Sequence, residues 1–136
     1  MAAGTFCGAA VYVNFVEQPA RLSCGVRLAV TEWRPSYKRG TLMQAPLALI
    51  GSLSALVSWW VERSAGWLIG GVLLFLVIPF TLLVIFPTNK KLESRELDVN
   101  SVEAERLMQR WGRLHAVRSV LGGAAFLMFA WKLANR

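Results

Sequence analysis

The chain has 136 residues, 55% of them hydrophobic, and 15 Lys and Arg against 8 Asp and Glu give it a formal net charge of +7. Its mean hydropathy of +0.46 exceeds what a soluble domain of this size can bury, which makes a membrane class the first expectation. The pI near 10.3 invites a nucleic-acid reading, but the basic residues lie in two segments between long apolar runs, so lipid replaces nucleic acid as the expected partner.

Residues 1–16 are uncharged and apolar, short of the ~20 residues that a perpendicular span requires. They lack a basic leader and a clear cleavage site, so a retained first span is expected instead of a signal peptide. Cys7 and Cys24 offer no metal-ligand spacing, and an unbroken helix would separate them by ~25 Å, too far for a disulfide. Residues 42–61 and 67–86 are uncharged and of spanning length, joined by a tight turn at 62–66. A last span is expected at 116–134, where Arg118 and Lys132 can carry their charges toward the interfaces. Pro46 and Pro79 should kink or begin helices. Gly4 and Gly8, Gly66 and Gly70, and the small-residue run at 122–125 give faces for close helix packing. The expected fold is all-α: one domain over 1–136, an integral membrane four-helix bundle with polar loops and an interfacial helix on one side.

The polar segments 17–41 and 87–117 hold eleven Lys and Arg, whereas Arg63, Lys132 and Arg136 lie on the opposite side. The positive-inside bias predicts that both basic segments face the cytosol or matrix, with both termini across the membrane. Trp59, Trp60, Trp67 and Trp131 then form an aromatic belt at the sparsely charged side. Asn100 and Glu103 have capping spacing, which predicts a helix from there through Leu107, Trp111 and Leu114.

If the end of the first span is helical, Asn14, Glu17, Gln18 and Arg21 share one face. Trp111, His115 and Arg118 share another and reach the same side of the membrane. His115, the only histidine, is a candidate proton acceptor, with Glu17 holding its tautomer or pairing with Arg118. The alternative is an interfacial ion pair that fixes helix register. A single histidine argues against bis-histidine haem and multi-histidine zinc. Residues 32–39, with Trp33 and Tyr37 among their aromatic and basic groups, read as a headgroup anchor or a lid. Asn89 reads as a helix end or a substrate contact. Phosphate loops, nucleophile elbows and paired metal carboxylates are not apparent.

Taken together, Gly8 to Arg21, Trp33 to Arg39 leading into Gln44, Ala45 and Pro46, then Pro87, Thr88 and Asn89, and finally Arg110, Trp111, Leu114, His115 and Arg118 form a fairly specific combination. In it the chain resembles, over most of its length, the anthrone-oxygenase-like family of small four-helix membrane proteins, most of them functionally unassigned. The resemblance implies binding of a lipophilic aromatic or phenolic molecule and its oxygenation by molecular oxygen with no metal or flavin. It implies His115 as the base, and Glu17, from its place on the helix face, completes the expected catalytic pair. Substrate contacts would come from Asn14, Arg21, Trp33, Tyr37, Gln44, Asn89, Trp111 and Arg118, with Arg21 or Arg118 stabilising the anion. Family members often carry histidine before the first proline, where this chain has Gln18, so a second base is not expected. The chemistry is coherent, because a phenolic anion can pass an electron directly to oxygen once a base has removed its proton. The competing reading is a noncatalytic subunit of a larger membrane assembly or homo-oligomer, suggested by the small-residue faces. A carrier or channel is disfavoured by the absence of charge inside the second and third spans.

Overall fold

The computed structural model describes residues 1–135, so Arg136, counted above on the sparsely charged side, lies outside the described residues. Six helical segments stack into four rods. The first rod joins α1 (Ala2–Tyr12) through a π turn (Val13–Glu17) to α2 (Gln18–Ser23); α3 (Val26–Glu62) is the second. The third joins α4 (Ala65–Phe80) through another π turn (Thr81–Ile85) to α5 (Phe86–Glu93), and α6 (Val102–Ala134) is the fourth. Three of the rods, Val26–Glu62, Ala65–Glu93 and Val102–Ala134, are long and apolar enough to cross a membrane. The first, expected as a span over 1–16, is not among the three: its apolar run is short and passes into Asn14, Glu17, Gln18 and Arg21 before the helix ends at Ser23.

Both π turns begin six residues before a proline, Pro19 in one rod and Pro87 in the other. Proline has no N–H to donate, and its ring crowds the carbonyl four residues back. Those carbonyls belong to Phe15 and Leu83, each inside a π turn, where the wider winding moves them aside without breaking the rod. Residues 17–41, expected as a polar loop, are therefore helical except at Cys24 and Gly25. Gly25 makes the reversal into α3 at φ 89°, a backbone conformation that side-chain-bearing residues rarely adopt. At the other end Arg63, left-handed at φ 53°, closes α3 before the hairpin into α4. The α6 start also differs from expectation: Ser101, not Asn100, is the N-cap and accepts from Ala104 N at 3.1 Å. Asn100 is held in a local turn, its own N–H donating to Asp98 Oδ1 at 2.9 Å.

Packing is small inside and large outside. Ala3, Ala10, Ala48, Ala55 and Ala125 are buried, while Leu53, Val57, Ile69, Phe75, Leu83 and Leu127 are exposed. Water would not tolerate so continuous an apolar exterior; lipid tails would, and close backbone approach then provides the cohesion. Trp67, expected in the belt, is turned inward, stacked on Phe129 with centroids 5.5 Å apart and donating to Glu62 Oε2 at 2.8 Å. Trp60 and Trp131 do project outward.

The buried apolar residues form two separate clusters. One, around Phe6, Leu74, Val77 and Phe129, fills the apolar part of the bundle. The other, around Trp33, Ile85, Leu92, Met108 and Trp111, joins α3, α5 and the first half of α6. At about 1.5 Å per residue the 37-residue α3 is about 55 Å long, far beyond the ~30 Å of a hydrocarbon core. The second cluster thus belongs to a head that rises above the spanning part, and it carries both basic segments at one end.

The close fit at Gly122 gives a direct test. A Cβ there would meet the buried Phe6 ring at 2.6 Å, whereas one at Gly123 meets only Cys7 Sγ at 3.8 Å. Gly122→Ala should lower stability in detergent by about 1–3 kcal/mol, and Gly123→Ala should leave the thermal midpoint unchanged or slightly raised.

Candidate functional site

Between the two apolar clusters lies a layer of buried polar side chains: Gln18, Arg21, Gln44, His115, Arg118 and Ser119. The first π turn and α2 contribute one side. Asn14 Nδ2 donates to Gly112 O at 3.0 Å, and Asn14 Oδ1 lies 2.7 Å from His115 Nδ1 and 2.6 Å from Ser119 Oγ. One turn on, Gln18 Nε2 donates to Met108 O at 3.0 Å. Position 18 thus holds a second tie to α6. Its Oε1 accepts from Arg21 Nη1 at 3.0 Å.

Arg21 is the hub on this side. Its Nε meets Glu32, while Nη2 meets Glu17 and, at 3.0 Å, Ser36 Oγ. Ser36 in turn donates to Glu17 Oε1 at 2.7 Å. The guanidinium is thereby shared among two carboxylates, a hydroxyl and an amide, and it also lies 5.9 Å from the centroid of the Trp111 ring. The expectation that Glu17 holds the tautomer of His115 or pairs with Arg118 is corrected. Glu17 is taken up by Arg21 and Ser36, because α3 begins early enough to bring Ser36 beside it, and Asn14 occupies the His115 nitrogen.

Arg118 is the opposite case. Only 9% exposed, it donates from Nη2 to Gln44 Oε1 at 3.0 Å and lies over the Phe6 ring. Its Nε has no partner, and among the described residues no carboxylate pairs with it. Next to it, among the described residues, His115 Nε2 makes no hydrogen bond. An aromatic wall completes the layer. Trp33 stacks on Tyr37 (4.8 Å) and meets Trp111 edge-on (5.7 Å), and Trp111 lies 4.9 Å from the His115 ring.

These groups line a partly open chamber of about 40 Å³, together with Val13, Glu17, Arg21, Ser36, Gly40, Thr41 and Gln44. A water needs about 10–15 Å³ of such space, so the chamber holds a few waters or one diatomic molecule, not a fused aromatic. An open groove of about 550 Å³ runs beside it between the first rod and α3, lined among others by Ala9, Tyr12, Pro35, Arg39 and Met43. Val13, Glu17, Ser36, Gly40 and Gln44 line both, so groove and chamber share a wall.

Comparison with protein families now bears on this arrangement. The anthrone oxygenase family model matches residues 33–128, over two thirds of the chain. The chain belongs to the anthrone oxygenase family. Neither the curated proteins nor the solved structures give a significant match. The anthrone oxygenase match takes in Trp33, Tyr37, Gln44, Trp111, His115 and Arg118, while Asn14, Glu17 and Arg21 lie ahead of it.

Of the site residues expected from sequence, Glu17, Arg21, Trp33, Tyr37, Gln44, Trp111, His115 and Arg118 line the chamber. Asn14 stands behind it, touching His115. Asn89 is not part of it: fully buried on the face of the third rod that also carries Ile85 and Leu92, it has neither amide atom hydrogen-bonded. The segment 32–39 is helical, and its Trp33, Ser36 and Tyr37 wall the chamber. Arg34 fixes it by donating to Leu92 O at 3.0 Å and Ser94 O at 2.9 Å, the free carbonyls at the end of α5. Ser36 and Ser119 were missed by sequence reasoning. Ser36 becomes legible once α3 is continued back to Val26, since Trp33, Ser36, Tyr37, Gly40 and Gln44 then recur at helical spacing. Among the described residues no cluster of three or more His, Cys, Asp and Glu has the makings of a metal site.

Removing the hub should be felt in stability. Arg21→Met leaves Glu17 and Glu32 without their shared cation and should lower unfolding free energy in detergent by about 2 kcal/mol, moderated by the exposure of Glu32. Arg21→Lys should not restore it, because an ammonium cannot reproduce the forked contacts.

Proposed function

We propose that the protein binds a lipophilic phenolic aromatic in the groove between the first rod and α3 and oxygenates it at the chamber, with His115 as general base and Arg118 stabilising the anion. The observation that carries this reading is Arg118: a buried guanidinium without a carboxylate is costly, and an anionic ligand beside it would offset that cost. Family membership supplies the class of chemistry. The groove is within the size range of small-molecule sites and the chamber is not, so in this reading the fused rings lie in the first and only their reacting edge enters the second, past the shared Gly40 and Gln44, to meet His115, Arg118 and dioxygen. Arg21 is saturated by its own partners, which favours Arg118 as the anion's cation.

For an anthrone the reaction balances with dioxygen as the sole oxidant. His115 removes a proton from the methylene between the aromatic rings, and the resulting enolate passes one electron to oxygen. The carbon radical and superoxide combine to form the C–O bond, and the peroxide takes up the proton held by His115. Loss of the second methylene proton then cleaves the O–O bond, leaving a carbonyl and water. Burial of the reacting pair beside Arg118 stabilises charge as it develops, in surroundings where electrostatic contacts are strong.

His115→Gln in the purified protein should lower quinone formation from an anthrone by at least about a hundredfold; an unchanged turnover number removes the catalytic assignment. Gly40→Leu tests the groove, because a side chain there enters open space. It should raise KM tenfold or more while leaving the fold intact, since leucine favours a helix over glycine by up to about 1 kcal/mol.

We further propose that the basic end faces the cytosol or matrix, on the excess of Lys and Arg in residues 17–41 and 87–117. Cys24, exposed at that end, should react with an impermeant maleimide only when that face of a sealed vesicle is outside.

A further inference from the structure

We infer that Asn14 is the positioning residue that holds His115 as the Nδ1–H tautomer and leaves Nε2 as its basic atom. The orientation of the Asn14 amide follows from its surroundings. One end lies 3.0 Å from Gly112 O, a carbonyl that can only accept, so the amide nitrogen belongs there. Reversing the amide would set oxygen against oxygen at that end and lose a donor. The other end is therefore Oδ1, which can only accept, and the two groups against it must donate. Ser119 Oγ gives its single proton to Oδ1 at 2.6 Å in preference to Ala10 O at 3.0 Å, and His115 Nδ1 donates at 2.7 Å, so the histidine proton sits on Nδ1.

The arrangement is unusual in using a neutral amide where a carboxylate often orients a histidine. A carboxylate would favour the imidazolium, which has no lone pair with which to accept a proton. An amide also fixes the ring and adds no charge, so the imidazole stays neutral with its Nε2 lone pair free to accept a proton. Asn14 is fixed in turn by the first π turn, which takes α1 over α6 at the level of Gly112, His115 and Ser119. The importance of the tautomer rests on the base role proposed for His115; the tautomer itself does not.

Because His115 is the only histidine, ¹⁵N-histidine labelling gives a spectrum with one imidazole. In the wild-type protein in detergent, the protonated nitrogen should be Nδ1 and the bare, strongly downfield nitrogen Nε2. Asn14→Leu should move the population toward Nε2–H, the form a free neutral histidine side chain prefers, and should lower kcat at least tenfold with KM within about twofold. Asn14→Asp, which keeps an acceptor for Nδ1 but adds a charge, should keep Nδ1 protonated and raise the imidazolium fraction, so that the Nε2 signal also moves toward the protonated range. A wild-type spectrum with the proton on Nε2 overturns the inference without any variant, as does an unchanged spectrum in Asn14→Leu. A correct tautomer in a protein that turns over no anthrone leaves the Asn14 assignment standing and removes the proposed reaction instead.

Discussion

Burying a cation among apolar helices without a counter-charge is the constraint around which this molecule is organised. Arg118 sits 9% exposed between two apolar clusters, with the Gln44 amide oxygen, the face of Phe6 and the neighbouring Tyr37 phenol around it and no carboxylate. A bundle that needed only to pack would gain by replacing it with a hydrocarbon side chain of similar size. The surrounding polar layer does not neutralise it; the two carboxylates nearby are committed to Arg21. The layer thus holds one arginine that is satisfied and one that is not, and the second adjoins the chamber and the single histidine.

The helix irregularities explain how such a layer can be assembled. A straight first rod would carry its polar residues as an ordinary stripe. The π turn at Val13–Glu17 shifts the register there, so that Asn14 and Gln18 both reach carbonyls of α6 while Glu17 and Arg21 turn toward α3. The proline two residues past the turn enforces the distortion covalently. The same device at Thr81–Ile85 precedes α5, whose end Arg34 caps, and so steadies the aromatic wall from behind.

The sequence revealed much of the membrane architecture, because apolar length and charge asymmetry are properties of composition over twenty residues and need no tertiary knowledge. It also brought out most of the chamber lining, since His115, Arg118 and Trp111 share a helical face and the family resemblance drew in Trp33, Tyr37 and Gln44. What it could not supply was the pairing across helices. Proximity along the membrane normal pairs Glu17 with His115, whereas the partner of each group is decided by rotation of the rods. The extent of α3 was concealed by two internal prolines, Pro35 and Pro46, which ordinarily end a helix and here do not. With 17–41 read as a loop, Ser36 had no face to belong to. Asn89 was drawn in by its motif, yet the rotation of α5 turns it into the apolar cluster.

The length of α3 has a consequence for the lipid. Because the three long rods exceed a hydrocarbon core, the depth of the chamber is not set by where they end but by where the apolar exterior stops, near Phe15, Val16 and Leu42. Hydrocarbon of greater thickness would climb toward that limit and thinner hydrocarbon would fall away from it. The lateral mouth beside Gly40 would then open onto acyl chains in one membrane and onto headgroups in another, so lipid composition would govern which solvent the chamber's doorway faces.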